Sequence, residues 1–220
     1  MKTSTMKLIA LNCALTATLM WVAGCATKSY DKGAATSAAL SATAEAVGQT
    51  STSIVDVLGA LNNLTFKSQG DLRKQYDEFV SATKALDSSM KTLDEKVATL
   101  HAKATEYLNN WTNQTAAIQS EELRKLSAER KDKVATELSG VEASYDGVKR
   151  SLAPFASDLK DIQTYLGTDL TAGGLNTIKE IVSKTKVDAV PLRDSIKKLQ
   201  ASFSSLSTAL SPMMPGSEKK

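Results

Sequence analysis

From Asp71 onward, apolar side chains recur on alternating steps of four and three: Leu72, Tyr76, Phe79, Thr83, Leu86, Met90, Leu93, Val97, Leu100, Ala104, Tyr107, Trp111 and then Ile118. Such a heptad seam commits a segment to one long amphipathic helix, because only a helix puts positions three and four apart on one face. At 1.5 Å per residue, a helix from Asp71 to Ile118 is a rod about 70 Å long. A second seam runs through Val134, Leu138, Val141, Tyr145, Val148, Leu152, Phe155, Leu159, Ile162 and Leu166. Leu123 and Leu126 lead into it, but Ser127, Ala128 and Lys131 are poor core residues. A third seam takes in Leu175, Ile178, Val182, Thr185, Ala189, Leu192, Ile196, Leu199, Phe203, Leu206 and Leu210. Upstream, Leu40, Ala44, Val47, Ile54, Leu58 and Leu61 outline a shorter version between Tyr30 and Leu64. Its many Ala, Ser and Thr residues give it weak intrinsic propensity, so it is expected to depend on docking against the other helices.

Chain breakers separate the seams. Phe66 to Gly70 ends one segment, and Gly167 to Gly174, with the pair Gly173-Gly174, ends another. Between them, Ser120 followed by Glu121 and Glu122 reads as an N-cap with first-turn acids, which places a turn near Gln119. Short connections return each long helix antiparallel beside its predecessor. The expected fold is therefore all-α: an elongated antiparallel up-and-down bundle with coiled-coil-like heptad packing, three long helices plus a shorter N-terminal one. Pro154 and Pro191 fall inside two seams. Each either bends its helix or, at Pro191, starts a new one after a break near Asp188 to Val190.

The N-terminus carries a different signal. Met1 to Lys7 holds Lys2 and Lys7 and no acid, and Leu8 to Val22 is apolar but short for a membrane span. The run Val22-Ala23-Gly24-Cys25 follows directly. This order resembles the lipobox of bacterial lipoproteins, which implies a thioether-linked diacylglycerol on Cys25 and cleavage between Gly24 and Cys25. Two or three acyl chains make a stable anchor where one binds only marginally. Ala26 and Thr27 follow, with no aspartate to resemble an inner-membrane retention signal, so the outer membrane, facing the periplasm, is the expected location. The domain plan is then a signal peptide over 1–24, a lipidated linker over 25–32, the helical bundle over 33–210 and a disordered tail over 211–220.

Removing the signal takes Lys2 and Lys7 from the 27 basic residues, leaving 25 against 24 acids and a charge of +1. A nucleic-acid binder is expected to show a basic stripe with aromatics. Here the run Arg124-Lys125 to Arg130-Lys131-Asp132-Lys133 is broken by Glu129 and Asp132 and reads as a solvated face. Cys13 leaves with the leader, so the mature chain has no disulfide and packing must supply its stability.

The residues Phe66, Gly70-Asp71-Leu72, Tyr76, Trp111, Leu123-Arg124, Ser127, Pro154, Asp161 and Tyr165-Leu166 resemble, in order and spacing, the bacterial family known as domain of unknown function 2959. The likeness covers roughly Thr65 to Leu206 and implies an exported helical protein. It departs at Gly167-Thr168-Asp169, where a basic and polar segment is expected.

No chemistry assembles from the remaining residues. His101 is the single histidine, and Asp94, Glu95 and Glu106 read as exposed helix charges rather than metal ligands. The serines, Ser88-Ser89 and Ser204-Ser205 among them, lack a nucleophile turn. Glu121-Glu122 is explained by the helix dipole, and Gly173-Gly174 lacks the strand and lysine of a phosphate loop. Tyr107, Trp111 and Met90 read as core packing. The expected protein is non-enzymatic, without catalytic residue, metal or cofactor. It is tethered to a membrane through Cys25 and acts through envelope protein partners or self-association. Two other readings stand beside it: a tether attached to peptidoglycan through Lys220, and a bundle that opens to hold a lipid or an unfolded client.

Overall fold

The computed structural model describes residues 20–67 and 70–211, without the side chains of residues 20–30. Five helices occupy them: α1 (Met20–Phe66), α2 (Leu72–Ala116), α3 (Glu121–Thr168), the short α4 (Ala172–Thr177) and α5 (Lys179–Leu210). The expected leader before residue 20, the tail after residue 211 and Lys220 lie outside the described residues.

The all-α antiparallel bundle is the fold observed. The turns lie where the breakers place them. Gly70 adopts φ 77°, the left-handed conformation open to glycine, and passes the chain to Asp71. The Asp71 carboxylate accepts from the backbone N–H groups of Arg73 (2.9 Å) and Lys74 (3.3 Å), capping α2. Ser120 Oγ accepts from Leu123 N at 3.3 Å and caps α3.

Two expectations need correcting. The N-terminal helix is not the short one: α1 has 47 residues, beside 45 in α2 and 48 in α3. It runs through 25–32, the stretch expected as a linker, because a long neighbour supplies the docking its weak propensity requires. The third seam is also not one helix. Leu175 lies in α4, and Ile178 sits at the joint before α5, which at 32 residues is the shortest of the long helices.

Pro154 and Pro191 break neither α3 nor α5. Both are exposed, and the carbonyls they leave without an amide donor belong to the exposed residues Arg150 and Val187, on the side where water can take over.

The core runs the length of the bundle. Every α3 seam residue from Val134 to Leu166 is buried except the half-buried Leu152, and on α5 Val182 to Leu206 are buried at the expected spacing. On α1 the buried set is larger than the seam expected. Leu40, Val47, Ile54 and Leu61 are joined by a second row at sevenfold spacing, Thr36, Thr43, Thr50, Val57 and Leu64, while Ala44 is exposed.

Backbones approach much more closely between α1 and α2, and between α3 and α5, than between α2 and α3. The cause is side-chain size. Thr36, Thr43 and Thr50 lie against the α2 backbone, each hydroxyl bonded to the carbonyl four residues before it at 2.7–3.0 Å and facing the carbonyl of Lys103, Lys96 or Ser89 at 3.2–3.4 Å. Seven residues up α1 match seven down α2, which fixes an antiparallel register. Serines play the same part between α3 and α5, where Ser144 meets Ser202 at 2.7 Å and Ser151 meets Ser195 at 3.0 Å.

At the reversal after α3, Thr171 Oγ1 accepts from Gly174 N at 3.0 Å and donates to Asp169 at 2.7 Å. A Cβ on Gly174 would lie 2.3 Å from the Asp169 carbonyl oxygen. Gly174→Ala must therefore displace backbone and is expected to cost at least about 1 kcal/mol in a urea melt. Gly173→Ala, whose Cβ would come no nearer than 3.5 Å to Thr171 Oγ1, is the control expected to be milder.

Candidate functional site

Long polar side chains bridge the wider α2–α3 interface, and several belong to the set that carries the family resemblance. At one end Tyr76 donates to the Gln163 carbonyl at 3.0 Å, and its hydroxyl lies 3.1 Å from where a Cβ on Gly167 would stand. Near the middle the buried Tyr145 donates to Asp94, and His101 contacts Glu142. Burial, then the hydrogen bond to Asp94, pushes the Tyr145 phenol well above its usual range and keeps it the donor. At the other end Trp111 Nε1 donates to Ser127 Oγ at 2.9 Å, and Thr115 meets the same hydroxyl at 2.8 Å.

That last end also holds Cys25. Its backbone lies in the second turn of α1. Extending the register set by Thr36 and Lys103 places Cys25 level with Gln114 of α2, close to the turn into α3. Ser127 is bonded to Trp111 and Thr115, so Leu126 stands at the same level, and Leu123 is one turn nearer the connection.

α5 ends short of this level. The Ser144–Ser202 and Ser151–Ser195 pairs set an α3–α5 register that puts Ser211, just past the end of α5, level with Ala135, nine residues of helix or about 13 Å before Leu126. The long Arg130 side chain reaches back to donate to the Ser211 carbonyl at 3.4 Å. Leu123 and Leu126 are accordingly 58% and 55% exposed although they lead into a buried seam. Below them, Tyr107 and Trp111 are half-buried with ring centroids 5.4 Å apart, and the Tyr107 ring packs over Gly33. Burial raises the Tyr107 pKa against the opposing charge of Arg130. Glu106 pairs with Lys32 at 3.0 Å across α1 and α2, and that bond holds its carboxyl below the ordinary range.

Open grooves flank the last turns of α5. One, of about 610 Å³, lies against α3 and is lined by Leu126, Arg130, Val134 and Ala209; the other, of about 660 Å³, lies against α1 beside Leu40 and Phe203. Asp94, Glu95 and Glu106 are all exposed on α2, as expected; Glu106 pairs with Lys32 and Asp94 takes the Tyr145 hydroxyl. Among the described residues no group of three His, Cys, Asp or Glu is placed to hold a metal ion, and no helix is long and apolar enough to cross a membrane. The threonine row and the polar bridges were not anticipated from the sequence; strict sevenfold recurrence of Thr36, Thr43 and Thr50 is the signal that marks the first of them.

Geometry and register together define an elongated four-helix bundle with two closely packed helix pairs and a more open seam between them. The chain belongs to the family described as "Protein of unknown function (DUF2959)", whose pattern it matches over residues 29–211, the whole bundle from just after Cys25 to the end of α5. No curated protein and no solved structure matches it.

Proposed function

We propose that the chain is a cell-envelope lipoprotein, held in the membrane by acyl chains on Cys25, whose bundle serves a non-enzymatic structural or protein-interaction role in the periplasm. The observation that carries this reading is the run Val22-Ala23-Gly24-Cys25 after a basic and then apolar leader, four residues before the family match begins. After cleavage Cys25 becomes the first residue, and α1 continues from it to Phe66, so the far turn at Gly70 stands about 60 Å from the anchor. A rod tethered at one end can span a gap or present its far end to a partner. The absence of an aspartate after Cys25 favours the outer membrane.

The test is labelling of cells with palmitate, followed by fractionation, for the wild type and Cys25→Ala. Label and membrane location are expected to be lost together in the variant. A variant that keeps both would overturn the reading.

A further inference from the structure

We propose that the bundle does not hang from its anchor on a free tether but rests on the bilayer, with Leu123 and Leu126 at the start of α3 set into the membrane interface. The inference builds on the acylated Cys25 of the preceding section. Its own support is the placement of three groups within one helical turn of each other along the bundle. Cys25 and Leu126 share a level along the bundle, as the α1–α2 register and the Trp111–Ser127 bond fix it, and Leu123 lies a turn beyond. Acyl chains entering a bilayer at Cys25 therefore bring the lipid surface to the height of these two leucines.

Two further observations favour lipid as the occupant. α5 stops before this level, so within the described bundle nothing covers side chains that lead into a core seam. The half-buried pair Tyr107 and Trp111 lies within about two turns of the Cys25 level on the bundle side, the height at which amphipathic rings favour the headgroup region. The nearby charges nearly cancel, Glu121 and Glu122 against Arg124 and Lys125, so apolar insertion rather than attraction to anionic lipid is the dominant contribution. The α1 helix runs on from Cys25 without a flexible break, so the rod stands at an angle set by two contacts, the acyl chains and the α3 leucines.

The experiment uses the mature, acylated chain reconstituted in phosphatidylethanolamine and phosphatidylglycerol vesicles, with and without bromine-substituted acyl chains. Acylated Cys25 offers no free thiol, so Leu126→Cys, Leu123→Cys and, at the far end of α3, Tyr165→Cys can each carry one environment-sensitive fluorophore. These positions are exposed, and helical circular dichroism checks that each variant folds. Brominated lipid is expected to remove most of the emission at positions 126 and 123 and to leave that at 165 unchanged. Equal, weak quenching at all three positions in protein whose mass shows acylation overturns the proposal alone. A probe shielded at 126 yet unaffected by bromine, with shielding that grows with protein density in the vesicle, overturns it in favour of a second copy at this face. Absence of acyl mass on Cys25 overturns this proposal and the anchor together.

Discussion

Phe155→Ala is expected to lower the stability of the bundle by about 3–5 kcal/mol, read as a shift of the urea midpoint at constant slope. Phe155 is fully buried in the α3 seam, where the cavity left by a lost ring is lined by other rigid core residues. The adjoining Pro154 cannot donate to the carbonyl of Arg150, so this turn of α3 holds its place by packing more than by its own ladder. Local collapse that would soften the loss also has to bend a helix already missing one bond. Leu123→Ala removes a side chain of similar chemistry from a position 58% exposed and is expected to stay within about 0.5 kcal/mol. A cost below about 1 kcal/mol for Phe155→Ala would mean that this part of α3 is not packed as described.

The contrast between those two residues also marks what was legible in the sequence. The α3 seam could be read almost residue by residue, because large apolar side chains at steps of four and three have no competing arrangement in a helix of that length. The cap at Ser120 was legible for a similar reason: one oxygen before a run of unsatisfied amides satisfies a local need. Contacts that depend on the relative register of two helices were not. Tyr76 and Gln163 are 87 positions apart, and their bond follows only from the way α2 and α3 are set side by side. The candidate site divides along the same line. Cys25 is visible as a short motif, whereas its level with Leu126 depends on the α1–α2 register and on Trp111 meeting Ser127, neither of which a single heptad pattern encodes.

α1 was the hardest helix to read, and its threonines explain why. Counted for propensity, Thr36, Thr43 and Thr50 weaken a helix; counted for polarity, they do not belong in a core. Both counts miss that a threonine hydroxyl can bond to the carbonyl four residues back in its own helix and so be buried with its donor satisfied, as all three are. Once satisfied, their small size becomes the useful property, because it lets the α2 backbone come close enough for the long α1 to dock along its length.

That account makes size, and not hydrogen bonding, what these positions require, and substitution separates the two. Thr43→Leu and Thr50→Leu together are expected to cost about 2–6 kcal/mol, at about 1–3 kcal/mol for each overpacked site. The two sites are about 10 Å apart along α1, far enough for their effects to be nearly additive. Thr50→Val keeps the branched shape and removes only the hydroxyl. The carbonyls of Ala46 and Ser89 that face this hydroxyl still receive their own helix N–H groups, so no buried acceptor is orphaned, and the change is expected to stay within about 1 kcal/mol. Urea melts of the three variants decide the matter: leucine tolerated and valine costly would mean that the hydroxyl bonds, rather than the close approach of α1 and α2, hold this interface together.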